Sequence, residues 1–259
     1  MSDTAATVGL EANYVWSVLL YQLTLTTVTF WLGVWVCVSD IKVNYTRKLN
    51  HFTVFFTPMI LALFLPYSST TTTAAVSAGV FFASTLVFLK PVRDRLPAAE
   101  TAFASIDRPE DRPHSLLLIL SQYAVAFVVL IGLLQLLGAK GRPELISVSF
   151  LITAIGDGLA EPFGIRFGRH KYQVPSLFKN ADGSQASHTR SWEGSAVVYV
   201  STLLIVLGFW TVGEFDNRQA LILSLALPPA MTLAEARSPH TWDTPLMYAV
   251  GGLMVWAVL

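Results

Sequence analysis

Eight long apolar runs are the feature that most restricts how this chain can fold. The hydrocarbon core of a bilayer is about 30 Å thick, and a helix needs roughly 20 apolar residues to cross it. The runs cover residues 14–38, 51–67, 73–89, 115–138, 144–162, 195–213, 219–236 and 244–259. We therefore predict an all-α, polytopic membrane helical bundle with about eight transmembrane helices, seven being the alternative, that forms a single domain over residues 1–259.

The composition agrees with a membrane protein. Hydrophobic residues make up 53% of the chain and charged residues 13%, whereas about a quarter of the residues of a soluble domain are charged. The formal net charge is zero, so nothing indicates a nucleic acid partner. The first apolar run is too long for a signal peptide and no basic residue precedes it, so we predict a retained span.

The basic residues predict the topology, because Lys and Arg are retained on the cytoplasmic side. Fourteen of the seventeen lie in the first, third, fifth and seventh connections between the runs. We expect these connections to be cytoplasmic and both termini to lie outside, with residues 1–13 as a short extracytoplasmic tail and 163–194 as a polar cytoplasmic loop. The membrane would be the plasma membrane of a prokaryote, or the endoplasmic reticulum or a plastid membrane of a eukaryote.

The end of the fifth run carries the most informative polar residues. Asp157 and Glu161 are four residues apart, so a helix places them on one face, where ionised carboxylates need a cationic partner. Pro162 is expected to end the helix, and Gly164 and Gly168 to allow close backbone approach or positive φ. The bases that follow are Arg166, Arg169 and Lys171. This pattern predicts a polyphosphate site with Mg²⁺, and its alternative is a solvated loop whose acids only bind arginine.

Other polar residues have simpler alternatives. Topology anchoring is the simpler explanation of Arg47 and Lys48, and an exposed turn is the simplest explanation of Arg108 and Arg112. Glu235, near the end of the seventh run, is expected to face a polar cavity or a partner.

Asp243, which precedes Thr244 and Pro245, is typical of a helix N-cap. All of these polar positions fall at one predicted membrane face. A transporter would place them near the midplane, so the pattern favours an enzyme with a water-soluble anionic donor and a lipid acceptor.

Four motifs occur in order between residues 46 and 245. They are Arg-Lys-Leu-Asn-His at 47–51, the segment 157–171, Arg-Ser-Trp-Glu-Gly-Ser at 190–195, and Glu-Ala-Arg-Ser-Pro at 235–239 followed by Trp-Asp-Thr-Pro at 242–245. Together they resemble the dolichol kinase and phytol kinase family of CTP-dependent lipid-alcohol kinases, which is related to the phosphatidate cytidylyltransferases. Arg190 stands where the family usually has Lys, and Thr244 where it commonly has Asn. Residues 173–189 look like an inserted loop, either a lid or a passive connector.

The resemblance implies transfer of the γ-phosphoryl group of CTP to the hydroxyl of an isoprenoid or polyprenol-type alcohol, with Mg²⁺ as cofactor. It implies that Asp157 and Glu161 hold the metal and that Asp157, Lys48 and His51 are catalytic. The nucleotide-binding residues would be Arg47, Lys48, Gly164, Gly168, Lys171, Arg190, Ser191 and Glu193. Arg112, Glu235 and Asp243 complete the candidate site. The alternatives are a cytidylyltransferase that makes a CDP-lipid and a non-enzymatic transporter.

Overall fold

A computed structural model describes residues 3–68, 70–179, 185–239 and 242–259, with side chains described for 12–68, 70–174, 188–239 and 242–259. The chain divides into two compact units, Met1–Leu117 and Leu118–Leu259. Each unit is described by itself below. Helices dominate both units, which confirms the predicted all-α helical bundle.

The first unit is built on three long helices and a short helical connection. The long helices are α1 (Asp3–Val38), α2 (Val43–Phe64) and α3 (Thr71–Thr85). Two short helices follow, α4 (Lys90–Arg93) and α5 (Pro97–Ala104), and then a 3-10 turn at Pro109–Asp111. Helix α5 packs on α1 so closely that a Cβ atom on Gly33 would collide with the carbonyl group of Thr101. The third connection is therefore folded structure that rests on α1.

The described part of the second unit consists of helices and a β-hairpin. Helix α6 (Ser115–Ala139) leads into a continuous helical run made of a 3-10 turn, α7 (Ile146–Ile152), a π-helical turn at Thr153–Asp157 and α8 (Gly158–Phe167). The antiparallel strands β1 (Lys171–Lys179) and β2 (Gln185–Ser191) come next. Helices α9 (Trp192–Thr211), α10 (Asn217–Arg237) and α11 (Asp243–Val258) complete the unit.

Six of the eight predicted spans are long and apolar enough to cross a membrane. They are Ala12–Val38, Thr71–Phe88, Ser115–Ala139, Pro143–Phe167, Trp192–Thr211 and Asn217–Arg237. The other two predicted spans are also helical, but α2 has 22 residues with a polar first half and α11 has only 16. The total of eight spans and the orientation of the chain stay predictions.

The second unit contains an apolar core. Its fully buried members include Leu137, Ile152, Val198, Leu227 and Met247. Lipid tails are as apolar as these side chains, so close van der Waals contact between helices stabilises such a bundle. Gly251 shows this contact, because a Cβ atom there would lie 2.9 Å from Cβ of Ser149 on the neighbouring helix.

Some helix boundaries differ from the sequence prediction. Pro162 does not end its helix but lies inside α8, because a proline removes one hydrogen bond and bends a membrane helix without having to end it. Helices α2 and α9 begin at Val43 and Trp192, ahead of the spans predicted at 51–67 and 195–213. Helix α1 begins at Asp3 and its membrane-length apolar part at Ala12, and the location of the tail outside the membrane stays a prediction.

The predicted polar loop at 163–194 is also corrected. Helix α8 occupies its first residues, and the β1–β2 hairpin occupies most of the remainder, with Tyr172 opposite Arg190 and Val174 opposite His188. Alternation explains the strand, since Tyr172 and Val174 point to the protein side and Val174 is buried. The inserted loop predicted at 173–189, either a lid or a passive connector, includes residues 180–184, which lie outside the described residues.

Candidate functional site

Arg190 lies at the centre of a buried polar cluster in the second unit. It is near the end of β2, and its side chain is 13% exposed. Its Nη1 atom donates to the Glu235 carboxylate at 2.5 Å and to the backbone carbonyl of the same residue. Its Nη2 atom donates to Oδ2 of Asp243 at 3.4 Å. One guanidinium group thus joins the hairpin to the end of α10 and the start of α11.

Glu235 is held from a second direction by hydroxyl groups. Oγ of Ser195, in the first turn of α9, donates to Oε2 of Glu235 at 3.3 Å. The Tyr172 hydroxyl on β1 is 2.7 Å from the same Ser195 oxygen. The Tyr172 ring also packs on Trp192, with 5.4 Å between ring centroids. The expectation that Glu235 has a polar partner is therefore confirmed.

Asp157 is the third carboxylate that acts on Arg190. It ends the π-helical turn and is 5% exposed. Glu161 is one turn further along in α8 and is partly buried. Within the described ranges, no group of three or more His, Cys, Asp or Glu residues lies close enough to hold a metal ion by itself. Any metal held by Asp157 and Glu161 would need further ligands from a substrate or from water.

The electrostatics of the cluster keep Arg190 protonated and Tyr172 neutral. Burial lowers the pKa of Arg190, but the carboxylates of Glu235, Asp243 and Asp157 outweigh burial and raise this pKa above its ordinary value. Burial, and then the charge of Glu235, raise the pKa of Tyr172, which keeps its phenol neutral. Arg190 is thus held by carboxylates that come from three different helical segments of the chain.

The glycines of the predicted signature pack around Ser191. A Cβ atom on Gly164 or Gly168 would lie 2.8 Å from Oγ of Ser191, and one on Gly194 would lie 2.7 Å from the carbonyl oxygen of Ala160. Ser191 is the N-cap of α9, where its hydroxyl accepts the Gly194 N–H at 3.1 Å.

Close approach at the two glycines is therefore confirmed, and the alternative of positive φ is wrong. Among the described residues, the positive-φ glycines are Gly141 and Gly213. The N–H of Gly168 donates to the Gly164 carbonyl at the end of α8. A nucleotide-binding role for the two glycines stays a prediction.

Two further predicted binding residues lie at the exposed edge of the cluster. Lys171 begins β1 and is exposed. Glu193, in the first turn of α9, is 2.8 Å from Nδ1 of the exposed His170 and also accepts the backbone N–H of His170. Glu193 therefore fastens the start of the hairpin to α9, and its predicted nucleotide contact stays a prediction.

The first motif lies in the first unit, on the opening turns of α2. Lys48 and His51 are 3% and 7% exposed, and the His51 ring stacks on Phe55 with 4.4 Å between centroids. Thr46 and Asn50, on the same helix, donate to the backbone and side-chain oxygens of Ser105 at 2.8 and 2.9 Å. The roles predicted for Arg47, Lys48 and His51 stay predictions.

The exposed turn predicted at Arg108 and Arg112 is half wrong. Arg108 is completely buried, and its guanidinium donates to Oδ2 of Asp111 at 2.7 Å. Arg112 is exposed as predicted and pairs with Asp107 at 2.8 Å. The turn contacts α2, where Asn44 donates to Glu110 at 3.1 Å. Arg108 is therefore buried between the turn and the rest of the first unit.

Three members of the second-unit cluster were not predicted. Tyr172 and Ser195 were missed because they carry no charge, and Gln122 was missed because it lies inside an apolar run. The Gln122 amide donates to the Thr244 hydroxyl at 3.0 Å. A buried glutamine in a membrane helix is itself a signal, because its amide needs a partner. Asp243 was expected to be an N-cap, whereas Trp242 takes that position and Asp243 is the first helical residue.

These observations define a multi-pass helical membrane protein with a buried, carboxylate-rich site at helix ends. A phytol kinase of Synechocystis sp. is 30% identical to it over 139 residues, which is 52% of each chain. The chain therefore spans about half the length of this curated relative. This similarity agrees with the resemblance seen in the motifs. No family model matches the chain, and no solved structure matches it.

Proposed function

We propose that the cluster around Arg190 is the active site of a membrane kinase that phosphorylates a lipid alcohol. The observation that carries this proposal is the gathering of three carboxylates around one buried guanidinium: Asp157 inside the helical run 143–167, Glu235 near the end of α10 and Asp243 at the start of α11. A lipid hydroxyl at the membrane surface and a nucleotide from water can both reach such a position. The similarity to a phytol kinase supports the same class of reaction.

The proposed donor is CTP and the proposed acceptor is an isoprenoid or polyprenol-type alcohol. The alcohol oxygen attacks the γ-phosphorus, the bond from that phosphorus to the β–γ bridging oxygen breaks, and CDP leaves. The proton of the alcohol passes to water, so the products are the phosphorylated lipid, CDP and one proton. Such transfer depends mainly on positioning and on neutralising the phosphate oxygens.

Asp157 and Glu161 fit a Mg²⁺ ion, because this metal is often held by one or two carboxylates together with substrate phosphates. When bound, the metal would neutralise the charge that develops on the phosphate oxygens. Lys171, at the exposed edge of the cluster, would attract the triphosphate. Arg190 would position Glu235 and Asp243, since its own donors already bind their oxygens.

Purified protein in detergent, given Mg²⁺ and CTP labelled at either the γ- or the α-phosphorus, tests the proposal. Phytol, farnesol, a polyprenol and diacylglycerol are the acceptors to compare. Transfer of the γ-label into the lipid, with release of CDP, is the expected result. Transfer of the α-label, with release of pyrophosphate, would show a cytidylyltransferase instead, and no transfer of either label would contradict enzymatic function.

We also propose that the hairpin faces the cytoplasm, because most basic residues fall in alternate connections. Thr189, on β2, is exposed and suits a cysteine in a Cys37→Ala background. A membrane-impermeant maleimide should label Thr189→Cys only after intact cells are permeabilised. Labelling of intact cells would show the opposite orientation.

A further inference from the structure

Gln122 is a buried amide inside the apolar helix α6. It is 6% exposed, and α6 contains no charged residue. Removing an amide from water without a hydrogen bond costs several kcal/mol on the scale of transfer to an apolar liquid. A buried polar side chain in a membrane helix therefore indicates a specific partner.

The partner of Gln122 is in the first turn of α11. Its Nε2 atom donates to the Thr244 hydroxyl at 3.0 Å, and Thr244 is 1% exposed. A second bond joins the same two regions, since Nε1 of Trp242 donates to Oγ of Ser121 at 3.3 Å. Neighbouring residues of α6 therefore fasten the residues on both sides of Asp243.

Asp243 depends on this first turn for its orientation. Its Oδ1 atom accepts the backbone N–H of Thr244 at 3.0 Å, and its Oδ2 atom faces Arg190 at 3.4 Å. A movement of Thr244 would therefore move the carboxylate that Arg190 binds. The hydrogen bonds run without interruption from Gln122 through Thr244, Asp243 and Arg190 to Glu235.

We propose that Gln122 is a positioning residue, which fixes the first turn of α11 and thereby the Asp243 carboxylate opposite Arg190. Gln122 itself touches no reacting group. The kinetic consequence of this inference rests on the proposed kinase function, whereas its structural consequence does not.

Gln122→Leu removes the amide at nearly constant volume. Gln135→Leu makes the same change at an exposed position of the same helix and is the matched control. Hydrogen exchange of the Thr244 amide, followed by mass spectrometry of peptides that cover 242–247, measures the order of the turn without any substrate. We expect about five- to tenfold faster exchange in Gln122→Leu, the effect of losing one hydrogen bond, and wild-type exchange in Gln135→Leu.

Turnover and unfolding of a double variant separate positioning from a purely structural role. Gln122→Leu should lower kcat about tenfold with little change in the KM for CTP. In Gln122→Leu the buried Thr244 hydroxyl loses its hydrogen bond to the Gln122 amide. Adding Thr244→Val removes this hydroxyl, so the midpoint of thermal unfolding should recover while kcat stays low. Recovery of kcat together with the unfolding midpoint would overturn the inference.

Equal exchange of the Thr244 amide in Gln122→Leu and Gln135→Leu would also overturn the inference. If wild-type protein transfers no phosphoryl group to any alcohol, the proposed function fails. The exchange comparison still decides whether Gln122 orders the first turn of α11.

Discussion

Two buried arginines show how differently the two units use the same chemistry. Arg108 in the first unit is 0% exposed and pairs with Asp111, three residues later in one turn. Arg190 in the second unit is 13% exposed and binds Glu235 and Asp243, which are 45 and 53 residues away in the sequence. The first pair fixes a turn, whereas the second joins three separate segments of the chain.

The carboxylates that act on the two arginines also differ. Asp111 is the buried carboxylate at 2.7 Å from Arg108, and Glu110 is 3.9 Å away and 37% exposed. Arg190 has three carboxylates acting on it. A buried pair between residues close in sequence stabilises a local turn. Carboxylates that converge from different helices on one guanidinium form the kind of charged site that phosphoryl transfer uses.

The largest expected effect concerns the buried pair of Arg108 and Asp111. Arg108→Met should leave Asp111 buried without its guanidinium and lower the free energy of unfolding by about 3 kcal/mol. Arg112→Met is the control, because that arginine is 58% exposed and a surface pair contributes less than about 1 kcal/mol. Chemical unfolding in detergent measures both. Equal losses would show that burial does not distinguish the two pairs.

Asp157→Asn tests the polar cluster around Arg190. If this carboxylate holds the catalytic metal, turnover should fall by more than about 100-fold, which corresponds to about 2.7 kcal/mol. Turnover is measured per folded molecule, so that a change in stability does not enter the comparison. Asp94→Asn, which removes a carboxylate from an exposed pair with Lys90, should keep wild-type turnover. Near-normal turnover in Asp157→Asn would rule out the metal assignment.

Gly168→Ala tests the packing of the end of α8 against Ser191, the residue that follows Arg190. The added methyl group would collide with the Gly164 carbonyl and lie 2.7 Å from Cβ of Ser191. We expect a loss of about 2 kcal/mol in the free energy of unfolding. Gly132→Ala places a methyl group where no atom lies within 4 Å, so it should not destabilise the protein. Similar unfolding curves for the two variants would contradict the packing role.

The smallest expected effect is that of Tyr172→Phe, which removes the hydrogen bond to Ser195 and should cost about 1 kcal/mol at neutral pH. Because the pKa of Tyr172 is raised in the folded protein, its contribution is complete below the ordinary tyrosine pKa of about 10. The contribution is lost as the pH rises through the folded pKa. Unfolding measured at pH 7 and 11 should show a smaller difference at pH 11, and a constant difference would contradict the shift.

The sequence predicted the helices well because apolar length alone determines them. It also predicted that Glu235 needs a partner, since a carboxylate at the end of a span must be satisfied. It did not predict the hairpin, because Lys171 and Arg190 gave its strands the polar character of a loop.

The burial of Arg108 was missed for a related reason. Its partner Asp111 is close in sequence, so the segment has the composition of an exposed turn. Gln122 was missed because one amide hardly changes an apolar run, and its partner Thr244 is 122 residues away. Long-range polar contacts of this kind depend on packing that a single sequence does not contain.

The most direct test of the central claim compares Arg190→Met with Arg95→Met. Arg190→Met removes the guanidinium that binds Glu235 and Asp243, whereas Arg95→Met removes an exposed arginine outside the candidate site. Transfer of the γ-phosphoryl group of CTP to the lipid alcohol is measured per folded molecule for each. The proposed site predicts a loss of more than about 100-fold in Arg190→Met and turnover within about twofold of wild type in Arg95→Met. Wild-type turnover in Arg190→Met would contradict the claim that this cluster is the active site.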